Sequence, residues 1–267
     1  MLSLACRDPS AFVRASRTTR SRPWNPSNHR RGRLVRLRAK MLAMSEAALD
    51  ALELNALSVF PLPNASLFPG ALLPLHVFEA RYRDLIRDAL AGSKTLAIAR
   101  LKPGFEADYE GRPPVFEVCG AGRIVEHVAH PDGRYHVLLR GISRVRILGE
   151  LPPATLYRVV RGEVIDDLPV DPALGSALER KISQLWTVLS PELPEVLRDL
   201  NEVTQGVEGI GAFADRVAAV MAGDAELGQV LLAEPDPCER LQIIAERLQT
   251  LSDSLTPTSR SGVSLFN

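Results

Sequence analysis

The chain has 267 residues, 46% of them apolar and 24% charged, with 32 basic and 32 acidic side chains and a formal net charge of zero. That length supports a substantial core without disulfides or metals, and no apolar run approaches the ~18 residues of a membrane-spanning helix. Cys6, Cys119 and Cys238 stand far apart in no paired spacing, which argues against a disulfide framework, a zinc ribbon or a dithiol redox motif and makes a reducing cytoplasm the expected location.

Residues 1–40 hold ten Arg and one Lys against a single acidic residue, Asp8, so the remainder is left with 21 basic and 31 acidic residues. The leader, taken as 1–44, is rich in Arg, Ser, Pro and Asn with no apolar period, the composition of a disordered arm. Three readings fit it: a nucleic-acid-binding arm, an organelle transit peptide, or translation starting at Met41 or Met44, with Ser45 offering a helix cap. We expect the third.

From Leu57 the pattern is β-like. LSVFPL, ALLPLHVF, TLAIARL, FEVCGAGRIVEHV, RYHVLLRGISRVRILGEL and LYRVVRGEVID are short runs rich in Val, Ile, Leu and aromatics, with stretches of period two. A helix interrupts them at FEARYRDLIRDALAG, where Tyr82, Leu85, Ile86 and Ala89 recur at helical spacing and Gly92 can close the last turn. Pro131–Asp132–Gly133 is a turn signal that folds its flanks into a hairpin. A doubly wound sheet needs a helix after nearly every strand, so one helix among six strands points to a small barrel or closed sheet over 55–168. Gly120, Gly122 and Gly141 suit its bulges or corners.

After Asp166 the text turns helical. Segments 171–189, 191–203, 209–222, 224–234 and 236–255 are separated by Pro, Gly and Asp, predicting a helical bundle over 169–255 and a frayed tail over 256–267. In the last segment Asp236 and Pro237 start a helix whose Leu241, Ile244, Leu248 and Leu251 form a stripe. Trp186, with Ile182, Leu185 and Leu189, is expected to anchor the bundle to the strands. Ser190 before Pro191 is expected to cap the next helix.

The order of these segments resembles the N-terminal, substrate-binding domain of Lon proteases, in a stand-alone form without the motor and protease modules. The likeness covers about residues 55–252 and is carried by LFPG (67–70), PLHVFEARYR (74–83), Gly120–Ile124 and PDGRYHVLLRGISRVRI (131–147). The resemblance implies an α+β fold, a PUA-like β-barrel with one inserted helix followed by a helical bundle, and a role in recognising protein substrates or partners.

The expected function is therefore a non-catalytic recognition module that needs no cofactor and binds unfolded or apolar protein segments; a regulator or adaptor of a separate protease is an alternative. RNA binding is a further alternative, motivated by the implied fold and the basic leader. It is disfavoured because residues 41–267 are acidic overall and poor in aromatics. Membrane partners are not expected. GSKT at 92–95 has Ser93 where a phosphate loop needs the glycine before its lysine, and reads as a helix end followed by a strand. His127, His130 and His136 near the hairpin invite a metal, but regular alternation puts His127 and His130 on opposite faces and no carboxylate or cysteine completes a set.

The binding surface is expected at the strand-to-helix stretch. Leu67, Phe68 and Pro69 lie at a turn where burial is hardest to complete, and are expected to form an exposed apolar rim with Leu72, Phe78 and Tyr82. His76 is expected as a half-buried packing residue beside it. Glu79 falls near the helix start, with Arg81 and Arg83 projecting outward, and Glu79, Arg81 and Arg140 are expected to pair beside the rim.

Overall fold

The structure is a computed structural model that describes residues 48–109, 111–193 and 199–255. The leader with Ser45 and the tail from Thr256 lie outside the described residues.

A short helix, α1 (Ala51–Asn55), opens the described chain under a capping box: the Asp50 carboxylate accepts the Glu53 N–H and the Glu53 carboxylate accepts the Asp50 N–H. Six strands follow where the β-branched runs predict them: β1 (Leu57–Leu62), β2 (Leu72–Val77), β3 (Thr95–Arg100), β4 (Val118–Ala129), β5 (Tyr135–Glu150) and β6 (Arg158–Ile165). Among the described residues the one α-helix between these strands, α2 (Ala80–Ala91), ends at Gly92, whose N–H bonds to the Asp88 and Ala89 carbonyls, and a 3-10 turn at Phe105–Asp108 follows β3. GSKT is thus a helix stop and strand start.

The sheet is mixed. Its order is β2-β5-β4-β3-β1-β6, β5 also pairs with β6, and β1 runs parallel to β3 while the other pairs are antiparallel. The pairings β5–β4–β3–β1–β6–β5 therefore return on themselves, and β2 is attached outside that ring through β5 alone. The register shifts between Ala121 and Gly122, placing a bulge where the glycines suggested one. Beneath α2, Tyr82, Leu85 and Ile86 pack with Phe60, Leu96, Ile98 and Leu139. A second cluster joins Leu57, Val59, Ala97, Cys119 and Val145.

The chain divides into two compact units: one takes residues up to Asp166 together with Ala222–Ala233, the other Asp167–Met221 and the residues from Glu234. The second unit contains α3 (Pro172–Leu189), α4 (Leu200–Val203) and α5 (Ile210–Met221). After α6 (Ala225–Ala233), it also contains α7 (Pro237–Leu255). Helix α6, expected in the bundle, belongs to the sheet unit instead. There Leu231 and Leu232 are buried and the Gln229 amide donates to the Val118 carbonyl at 3.0 Å, an anchor on β4 that a bundle helix would not need. In the second unit Ile182, Leu185, Trp186 and Leu189 are buried on α3, and Leu241, Ile244 and Leu248 on α7, while Leu251 is exposed. Ser190 does not N-cap a following helix; it is the C-cap of α3 and starts a 3-10 turn, and its hydroxyl donates back to the Thr187 carbonyl.

Candidate protein-docking site

LFPG does not form an exposed rim. Phe68, Pro69, Gly70 and Ala71 make a type II turn: Pro69 sets φ at the second position, Gly70 supplies φ +73°, and the Ala71 N–H donates to the Phe68 carbonyl at 3.0 Å. This lays the Leu67–Phe68 backbone across β4 and β5 at three glycines. A Cβ on Gly120 would stand 1.8 Å from the Leu67 carbonyl oxygen, one on Gly141 2.0 Å from that of Phe68, and one on Gly122 2.7 Å from Leu67 Cδ2. Two backbone bonds hold the crossing, Gly70 N–H to Gly141 O and Gly141 N–H to Ala71 O. Leu67 and Phe68 are 1% and 0% exposed, so the expectation that they face a partner is corrected: missing Cβ atoms let the turn sink into the core. Tyr82 is buried too, stacked on Phe60 with ring centres 4.3 Å apart.

The exposed apolar residues lie one strand further on. Leu72 is 41% exposed, Phe78 47% and Val128 48%. Register places Leu72 opposite Arg140, Pro74 opposite Leu138, and His76 opposite His136, which in turn faces Val128 on β4. Residues directly opposite point to the same face of a sheet, so Leu72, Pro74, His76, Leu138, Arg140 and Val128 share an outer face with Glu126, which stands opposite Leu138, and that face mixes apolar side chains with charges of both signs. Leu75, Val77, Val137 and Leu139 take the inner face and are buried. Of the residues picked from the sequence, Leu72, His76 and Arg140 meet here with Phe78 beside them, and Pro69 sits half-buried at the turn.

The histidines regroup around that face. His130 Nε2 and His136 Nδ1 share a hydrogen bond at 2.7 Å, and the His76 and His136 rings lie 4.6 Å apart. His76, expected as a packing residue, is exposed, its ring 5.9 Å from that of Phe78. Burial, together with nearby positive charge from Arg134 and His130, moves the His76 pKa below its ordinary value. His136 is lowered likewise, by burial first and then by His76 and His130. Among the described residues no group of three His, Cys, Asp or Glu is placed to hold a metal ion.

Glu79 and Arg81 lie apart from that surface and cooperate with a residue the sequence reading passed over, Tyr109. Glu79 is the N-cap of α2, although its side chain caps nothing. Its carboxylate accepts from Arg81 Nε at 3.1 Å and from the Tyr109 hydroxyl at 2.9 Å, while Arg81 donates to the Tyr109 carbonyl and lies 4.7 Å over the Tyr82 ring. Arg81 is therefore drawn inward rather than projecting into solvent. Burial and the bond to Glu79 push the Tyr109 hydroxyl up to about 12. Arg81, Tyr82 and Tyr109 line a shallow cleft with Arg112, Leu156 and Arg158. Arg83 donates to the Asp132 carbonyl at the hairpin.

A buried ionic group in the second unit also escaped the sequence reading. Arg240 on α7 is fully buried, gripped by both Asp167 oxygens at 2.8 and 2.9 Å, and its Nε lies 3.4 Å from Asp215 of α5. Its signal was present in the pattern, because Arg240 and Asp215 each sit in the apolar stripe of their helix, opposite in sign.

A mixed sheet in one unit and a set of helices in the other define the class, and the fold is similar to the N-terminal domain of a Mycobacterium avium complex Lon protease, with a TM-score of 0.54 at 20% identity over 73% of this chain and 98% of that one. The family description for the ATP-dependent protease La (LON) substrate-binding domain matches residues 56–250, and the chain belongs to that family. It is 26% identical over 193 residues to the Lon protease of Anaeromyxobacter dehalogenans and 27% identical over 200 residues to Lon protease 2 of Myxococcus xanthus. The matches take up 72% and 73% of this chain but only 23% of each relative, so the chain spans about a quarter of the length of these proteins. No helix among the described residues is long and apolar enough to cross a membrane.

Proposed function

We propose that the chain is a non-catalytic protein-recognition module acting in the cytoplasm, binding exposed apolar segments of client proteins on the outer face of β2, β5 and β4. In this reading the closed ring of strand pairings is the PUA-like barrel of the resemblance, and β2 is the appendage that carries the site. The observation that supports it is the exposure of Leu72, Phe78 and Val128 in one neighbourhood of a sheet whose opposite face is buried. Each such side chain buried against a partner contributes ~1.5–3 kcal/mol before the costs of association, so two or three give weak binding suited to sampling many segments.

The test is fluorescence anisotropy with a labelled, reduced and carboxymethylated protein as the unfolded client. Phe78→Ser is expected to weaken binding about tenfold or more, the loss of ~1.5–3 kcal/mol of burial, with little change in melting temperature. Phe68→Ser, in the core, is expected to melt early, leaving a cavity with a polar group in it at a cost of ~3 kcal/mol or more. Unchanged affinity in Phe78→Ser overturns the placement of the site.

A further inference from the structure

Among the described residues β2 is the only strand of the sheet with a single partner. β1 pairs with β3 and β6, β3 with β1 and β4, β4 with β3 and β5, and β6 with β1 and β5. The side of β2 away from β5 is an open edge. The Gly141 N–H bonds to the Ala71 carbonyl, which fixes the phase: Ala71 faces β5, so by alternation Leu73, Leu75 and Val77 face β5 and Leu72, Pro74 and His76 turn their backbone groups outward. Pro74 supports this phase independently, because a strand proline is tolerated where its missing N–H falls on a free edge. The edge therefore presents two donors, Leu72 N–H and His76 N–H, and three acceptors, the carbonyls of Leu72, Pro74 and His76. The side chains of all three residues are exposed.

We infer that the client is taken as an added β-strand: an extended segment lies along the open edge of β2, donating to the carbonyls of Leu72, Pro74 and His76 and accepting from the N–H groups of Leu72 and His76. This rests on the protein-recognition reading and specifies its geometry. Only an extended backbone carries donors and acceptors at the two-residue repeat that this edge offers. An added strand at ~4.8 Å continues the outer face, setting its alternate side chains beside Leu72, Pro74 and His76. The partner is therefore a segment apolar at alternate positions, free of proline where it must donate, and of any sequence otherwise. Pro74 also keeps the bond count low. With only two donors the edge cannot zip onto a long strand, which favours brief engagement over permanent pairing.

The test is residue-resolved amide exchange by NMR on the full chain, with and without the same carboxymethylated protein as probe. In the free chain the amides of Leu72 and His76 exchange fast and those of Leu73, Leu75 and Val77 slowly. With probe at ten times Kd, Leu72 and His76 are expected to slow by about tenfold, the occupancy-limited value. If anisotropy shows binding but these two amides exchange as before, the added-strand geometry is overturned and the recognition reading stands. If anisotropy shows no binding, both fall. If the two amides are already protected in the free chain and more so at higher chain concentration, a second copy occupies the edge and the inference is overturned.

Discussion

Replacing Gly141 with alanine tests how LFPG is buried. The added Cβ would lie 2.0 Å from the Phe68 carbonyl oxygen and 3.3 Å from Leu67 Cγ, so the turn must retreat by more than an ångström to reach ordinary contact. Retreat strains the two bonds that tie the crossing, from Gly70 N–H to Gly141 and from Gly141 N–H to Ala71, at 3.0 and 2.9 Å. Overpacking costs ~1–3 kcal/mol and each backbone bond ~0.5–1.5 kcal/mol, which puts the total near 4 kcal/mol. At about 2–4 °C per kcal/mol for a chain of this size, the melting temperature falls by roughly 8–16 °C. Gly149→Ala is the control, on the same strand with nothing within 4 Å of its new Cβ, and is expected to stay within about 1 kcal/mol of the parent. Thermal and urea unfolding measure both. Equal melting of the two variants refutes the claim that the glycines exist to admit the turn.

Arg240→Met removes the cation between Asp167 and Asp215 and is expected to cost ~3–5 kcal/mol in urea unfolding, because buried Asp215 then loses the Arg240 guanidinium. Adding Asp215→Leu should recover part of that loss, and a single mutant as stable as the parent would contradict the assignment. For His76 and His136 the folded pKa values lie below the ordinary 6.5, so the unfolded chain binds more protons; their contribution is complete above about 6.5 and is lost as pH falls from there towards the folded values. The double variant His76→Gln/His136→Gln should flatten the fall in melting temperature between pH 7.5 and 5; an unchanged slope would assign that fall to other groups.

The strands were legible because their residues could do little else: TLAIAR and YHVLLRGISRVRIL are β-branched or alternating runs between turn signals, and they appear as β3 and most of β5. Lon-type membership was legible in LFPG and PLHVFEARYR. The location of the exposed apolar face was not, for a reason visible in Phe68. A phenylalanine beside Pro-Gly reads as a turn residue, hence exposed, and only the tertiary approach to Gly120 and Gly141 turns it into core. Those glycines looked like bulges from within their own strands, because sequence carries no mark of which segment will cross them. Leu72 and Phe78 were within the chosen stretch, but their exposure depends on β2 having one partner, a fact of topology. Tyr109 was passed over because FEADYEG has no periodicity to draw attention to it.

Helix α6 belongs to the sheet unit by its packing and to the far end of the chain by its position. The ribosome therefore releases β4 long before the Gln229 amide that donates to Val118, and before the Glu226 carboxylate that pairs with buried Arg100. Until Ala233 has emerged, the sheet is a nascent structure waiting for its last piece, and Asp167–Met221 must be held in between. A fragment cut after Ile165 would retain every strand and still lack that closure, so the natural boundary of this fold is set in translation time by residue 233, about seventy residues after its last strand ends.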